Sequence, residues 1–166
     1  MKYSNIITRN HPISLLYSTC LEDINILIVR DGYTGVTPLF TNNEIIINLD
    51  ISEGRVASKE NRSPNKSMDM AFGIANSDSS IRQMLMVELR FNYVNMKNLT
   101  RLELTGKVMG STLVLGNTIP ICGDFIFIFQ PNLKAQAKNR FFRMDPKIGS
   151  NYIIKDIYEL KAEYFD

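Results

Sequence analysis

Three charged residues stand where apolar ones are expected. Asp69 lies in the run Met68-Asp69-Met70-Ala71-Phe72, and Glu88 and Arg90 interrupt the otherwise apolar stretch Met84-Leu85-Met86-Val87-Glu88-Leu89-Arg90-Phe91. Burying a carboxylate in mid-strand costs several kcal/mol, on the order of 2 to 5 even with a partner, so such residues are usually paired, metal-bound or catalytic. Side chains alternate along a strand, which puts Glu88 and Arg90 on one face and Leu85, Val87, Leu89 and Phe91 on the other. Asp69 shares its face with Ala71 and Gly73, small residues that leave room beside an acid.

If residues 75–82 form a hairpin turn, Asp69 and Glu88 meet near one end of a sheet. Converging carboxylates repel unless a proton or cation lies between them. A hard divalent ion such as Mg²⁺ accepts carboxylate oxygens and waters, lowers the pKa of a bound water and stabilises charge on a phosphate. Arg90 would supply the accompanying cationic side chain. The plainer reading is that Glu88 and Arg90 pair with neighbours on a half-solvated face and Asp69 is a surface acid near a turn.

The elements that must position these residues follow from periodicity. Pro12 opens a short helical stripe with apolar residues at 13, 16, 17 and 20. The β-branched run Ile24 to Val29 and the run Glu44 to Leu49 predict two adjacent strands joined through 34–43. Residues 52–67, with Arg55, Lys59, Arg62 and Lys66, lose periodicity and predict a long polar connection, either functional or simply solvated. Met68 to Ile74 and Gln83 to Tyr93 predict a third and fourth strand, with Asn76-Ser-Asp-Ser-Ser as the turn between them.

Period 3.6 then takes over: Leu99, Leu102, Gly106, Met109 and Leu113 predict the buried face of a helix ending near Gly116, with Gly106 and Gly110 allowing close approach to the sheet. Asp124 to Phe129 is a continuous apolar run, as in a strand covered on both faces. Pro131 to Arg143 predicts a basic helix, Asn151 to Lys155 an edge strand, and Ile157 to Phe165 a closing helix. The fold class expected is α/β, a mixed central sheet flanked by helices, in a single domain spanning 1–166.

Here the chain resembles the PD-(D/E)xK restriction-endonuclease-like superfamily. An Asp at a first strand, a turn, an apolar strand with Glu-x-basic, a helix and a second apolar strand match over residues 65 to 130, with Asp69, Glu88 and Arg90 at the motif positions. The resemblance implies a Mg²⁺-dependent nuclease that hydrolyses nucleic-acid phosphodiesters, with Asp69 and Glu88 holding the metal. It departs from the pattern in two places. Arg90 stands where the family has Lys and cannot act as a general base, though it can stabilise phosphate charge. The first acidic position has only Glu22 or Asp23 as candidates. A lysine on the following helix can substitute, Lys107 being better placed than Lys97. The same resemblance admits an inactive member acting as a protein-binding partner, an immunity or complex-assembly subunit of the kind found in bacterial defence. A small-molecule binder unrelated to nucleases is a third reading.

The charge distribution adds one partner surface. The formal net charge is +2, but Lys134, Lys138, Arg140, Arg143 and Lys147 face only Asp145 between 131 and 147, a stripe suited either to phosphate contact or to solvation above a Phe141-Phe142 anchor. With the 52–67 segment it would grip a nucleic-acid backbone. His11 is the sole histidine, and Cys20 and Cys122 lie among apolar residues without CxxC spacing, which argues against zinc, hydrolase triads and disulfides. No apolar run reaches the roughly 18 to 20 residues that span a bilayer, and the first ten residues lack a secretory pattern. A cytoplasmic location without membrane contact is the expectation.

Overall fold

The computed structural model describes residues 1–166. Its elements are β1 (Lys2–Tyr3), α1 (Asn5–Arg9), α2 (Pro12–Leu16), β2 (Leu21–Asp23), α3 (Ile24–Arg30), β3 (Ile45–Asn48), α4 (Leu49–Lys59), β4 (Met70–Ala75), β5 (Arg82–Arg90), α5 (Arg101–Leu115), β6 (Ile121–Phe129), α6 (Lys134–Phe142), β7 (Tyr152–Lys155) and α7 (Ile157–Tyr164). The seven strands form one mixed sheet in the order β2-β3-β4-β5-β6-β7, with β1 sharing an edge of β4 with β3. Pairs among β1 to β5 are antiparallel, whereas β5–β6 and β6–β7 are parallel. The chain is thus an α/β protein with a mixed sheet flanked by helices, and β7 is an edge strand as its short run suggests.

Two apolar cores cover the two faces of the sheet. Met84, Met86, Ala71, Phe127 and Phe129 enter one, while Met70, Phe72, Leu85, Val87, Leu89, Ile126 and Ile128 enter the other. The alternation read from β5 therefore holds, but the face carrying Glu88 and Arg90 is not half-solvated. It lies beneath the core to which α5 contributes Leu104, Val108, Val114 and Leu115.

Four expectations are corrected. Ile24 to Val29 is helix α3, not a strand. The Asp23 carboxylate accepts the Asn25 N–H at 2.7 Å as an N-cap, and Ile24, Leu27 and Ile28 bury the i, i+3, i+4 stripe, which outweighs β-branched propensity. The strand beside β3 is the three-residue β2 instead. The first half of the polar segment, residues 52–59, continues α4, which is capped by Asn48 and seated on Leu49, Ser52, Glu53 and Ala57, and only 60–67 form the irregular connection expected. The buried stripe of α4 holds Ser and Glu, so hydropathy alone concealed it. Buried Glu53 is satisfied by a two-oxygen clamp from Arg62, at 2.5 and 3.3 Å, and by the Asn65 N–H.

The third correction concerns α5, whose apolar stripe points away from the sheet. Leu102, Met109 and Leu113 are 83, 65 and 69 % exposed, while Leu104, Val108, Ser111 and Val114 face inward. Gly110 permits close approach to the Lys66 backbone and the Asn65 side chain rather than to the sheet, and Gly106 meets nothing. The fourth concerns the space beside Asp69's face: a Cβ on Gly73 would lie 2.4 Å from Ile7, and the Gly73 N–H donates to Thr8 Oγ1 at 2.9 Å. Helix α1 fills that room, not a ligand.

Candidate functional site: an ion cluster at the rim of the sheet

The antiparallel register of β4 and β5 ends at Met70 opposite Val87. One step further sets Asp69 across from Glu88, on the face covered by α5, where opposed side chains lie within a few ångströms. Asp69 is anchored there because its Oδ2 accepts the Leu89 N–H, while its own carbonyl accepts the Leu49 N–H at 3.1 Å and ties it to the start of α4. Glu88 is 1 % exposed.

Helix α5 brings the remaining charges. Thr100 caps it by accepting the Glu103 N–H at 3.2 Å, which fixes the first turn. Glu103 and Lys107, one turn apart on the same face, both reach down to β5. Lys107 Nζ lies 2.8 Å from Glu88 Oε1, 2.9 Å from Glu88 Oε2 and 3.9 Å from Asp69 Oδ1. Arg90 Nε lies 2.9 Å from Glu88 Oε1, and its terminal nitrogen donates to Glu103 Oε1 at 2.7 Å. The Arg90–Glu88 contact is electrostatic only, for the Nε–H is buried without a well-directed acceptor. The guanidinium also lies 5.1 Å from the centre of the Tyr93 ring.

The cluster therefore holds three acids, Asp69, Glu88 and Glu103, against two bases. Burial, and after it the charge of Asp69, pushes the Glu88 carboxyl up to about 8, against the pull of Arg90 and Lys107. Burial likewise raises Asp69 to about 6, opposed by Lys107 and the Leu89 N–H and reinforced by the charges of Asp31 and Asp50. Burial works against the Arg90 cation too, yet Glu88 and Glu103 carry its pKa above the ordinary value. The arrangement is one proton short of balance, and the acid least exposed to water is where that proton goes.

Asp69 and Glu88 both lie against one ammonium, at 3.9 and 2.8 Å. As hard oxygen donors the two carboxylates suit a divalent ion in chemistry, with Lys107 supplying the cationic charge between them. No third His, Cys, Asp or Glu completes a ready-made ligand set around them.

The structure brings Asp69, Glu88, Arg90 and Lys107 together. It does not make one surface of Lys134, Lys138, Arg140 and Arg143. Lys134 is engaged by Asp156 at 2.6 Å and Glu159 at 2.8 Å, and Arg140 donates to the carbonyl of Leu99 at 2.7 Å. Of those four, only Lys138 and Arg143 are exposed. Glu22, a candidate for the missing acid, is bound by Arg30 and by the Asn48 amide. Asp23 caps α3. Glu103 joins the site from outside the Asp-Glu-x-Arg positions, although the Thr100-x-x-Glu103 spacing signals a helix start, and Asp31 and Asp50 come near Asp69 only through the packing of α3 and α4.

No family model matches this chain, and no curated protein or solved structure was found to be similar to it.

Proposed function

We propose that the chain is a metal-dependent nuclease-like domain that hydrolyses nucleic-acid phosphodiesters at the rim of β4 and β5. The observation that supports this most is the shared ammonium: two raised carboxylates from adjacent strands converge on Lys107, a lysine in reach of the place where the resemblance lacks one. Asp69 and Glu88 would hold Mg²⁺, which would supply an activated water and charge neutralisation at the phosphate. Lys107, freed from Glu88, would orient that water and hold or release a proton at Nζ. Arg90 would remain protonated and steady a phosphate oxygen, its plane set by Glu103.

A second reading rests on a specific observation. Every charge of the cluster has a partner within the chain, and Glu88 is shut from solvent, as in an ion-pair knot that keeps the fold but no longer cleaves. The chain would then serve as a protein-binding partner, for instance an immunity or assembly subunit. Incubation of the pure protein with plasmid DNA and with RNA, in Mg²⁺ or Mn²⁺, separates the two. Cleavage by wild type that disappears in folded Glu88→Gln supports the nuclease reading. Cleavage that survives the substitution, or none in either folded protein, rejects it.

A further inference from the structure

Helix α5 has a second face that the ion cluster does not use. Leu102, Gly106, Met109 and Leu113 recur at steps of four, three and four, the spacing of a helix-to-helix seam. The protein's own core does not need them, because Leu104, Val108, Ser111, Val114 and Leu115 already bury the opposite side. The three large side chains are among the most exposed apolar groups of the molecule, and a Cβ placed on Gly106 would meet nothing within 4 Å. Helix α2, which packs against α5, exposes Leu15 and Leu16 as well. Monomeric proteins seldom leave such a group of apolar residues on one surface without a use.

The pattern along the seam says what covers it. Two copies of α5 laid antiparallel about its midpoint set Leu102 against Leu113 and Met109 against Gly106, so the flexible thioether of each copy enters the gap over the other's glycine. The seam itself carries no charge, since Glu103 and Lys107 turn toward β5. Exposed Arg101 at the start of one helix falls beside the last carbonyls of the other, where the helix dipole is negative. Large opposite absent, and cation opposite helix end, are matches that one sequence provides to itself. We infer that α5 is the seam of a twofold homodimer of this chain, with Leu15 and Leu16 at its margin and the two ion clusters facing away from each other.

The seam runs only about 17 Å from Leu102 to Leu113 at 1.5 Å per residue. An interface below the ordinary ~800 Å² per partner implies a dissociation constant in roughly the micromolar range. Sedimentation velocity of the full chain from roughly 1 to 500 µM, without metal or nucleic acid, is the test. The expected result is a concentration-dependent dimer whose dissociation constant rises at least about tenfold in Met109→Glu and in Gly106→Met. The exchanged pair Gly106→Met with Met109→Gly restores association, because the fit is reciprocal. Circular dichroism establishes that each variant is folded. A monomer throughout the range, or a dimer indifferent to Met109→Glu, overturns the inference, and failure of the exchange overturns the antiparallel pairing. None of these outcomes depends on whether the chain cleaves nucleic acid.

Discussion

The ammonium of Lys107 closes over the carboxylate of Glu88, 2.8 and 2.9 Å from its two oxygens, so that a helix and the middle of a sheet are joined by a charge at the edge of the core. The contact replaces the water that Glu88 lost on burial. Removing the cation while leaving the acid should therefore destabilise the protein by about 2 kcal/mol, less than a fully enclosed pair because Arg90 remains and Lys107 is partly solvated. Urea unfolding of Lys107→Met at about pH 9, above the Glu88 pKa of about 8 so that the acid is ionised, measures this. Adding Glu88→Gln to the same chain should recover more than half of the loss, and a double mutant that is simply additive would show that the two side chains are not coupled.

The pH dependence of stability has a definite sign. Glu88 titrates near its ordinary value when unfolded and at about 8 when folded, so between those values the folded chain binds the extra proton. Stability arising from this group is full below the unfolded pKa and is lost as pH rises toward 8. Glu88→Gln, which keeps the shape and cannot ionise, should gain on wild type progressively from pH 5 to pH 8. The buried His11 acts in the other direction and is common to both proteins. Burial lowers it to about 4, so its effect is a loss of stability as pH falls below the ordinary histidine value. A wild-type minus Glu88→Gln difference that is flat between pH 5 and 8 would contradict the raised carboxyl.

Divalent ions should compete with that proton. Mn²⁺ or Mg²⁺ bound by Asp69 and Glu88 requires both to be ionised, so affinity should strengthen as pH rises through about 6 and then about 8. Thermal unfolding with and without Mn²⁺ reads this without any substrate. An upward shift in Tm that grows between pH 6 and pH 8.5 and vanishes in Asp69→Asn is expected, and an equal shift in the variant would place the ion elsewhere.

The two glycines of α5 should respond oppositely to one methyl group. At Gly110 a Cβ would stand 1.9 Å from the Lys66 carbonyl oxygen, a backbone atom that cannot swing aside. Gly110→Ala should cost about 2 kcal/mol or more, as overpacking does. At Gly106 the space is open, and Gly106→Ala should add up to about 1 kcal/mol through helix propensity alone. Chemical denaturation at protein concentrations below self-association compares them directly.

How far the sequence can be read depends on what each segment buries. The alternation of β5 and the apolar run of β6 announce themselves because both faces of those strands enter a core. Helix α4 is hidden because its inward positions include Ser52 and Glu53, which satisfy themselves with the Asn48 carbonyl and with Arg62. In α3 a cap and three inward residues outweigh a run of β-branched side chains, a contest that composition alone does not decide. The pairing of Asp69 with Glu88 was legible as a hairpin. The covering of that pair by Glu103 and Lys107 depended on how α5 is rotated about its axis, and its most regular apolar stripe pointed to the wrong rotation.

Strand β1 has a consequence for the order of assembly. It pairs with β4 some seventy residues later, Tyr3 stacks on Phe165 at 4.9 Å, and Lys2 donates to the Glu163 carbonyl at 3.0 Å. Chains leave the ribosome from their beginning. Lys2 and Tyr3, made earlier, must therefore wait for Glu163 and Phe165 before they are fully seated, and contacts so distant along the chain slow folding. During that wait the part of the β4 edge meant for β1 is a bare ladder open to any extended strand nearby.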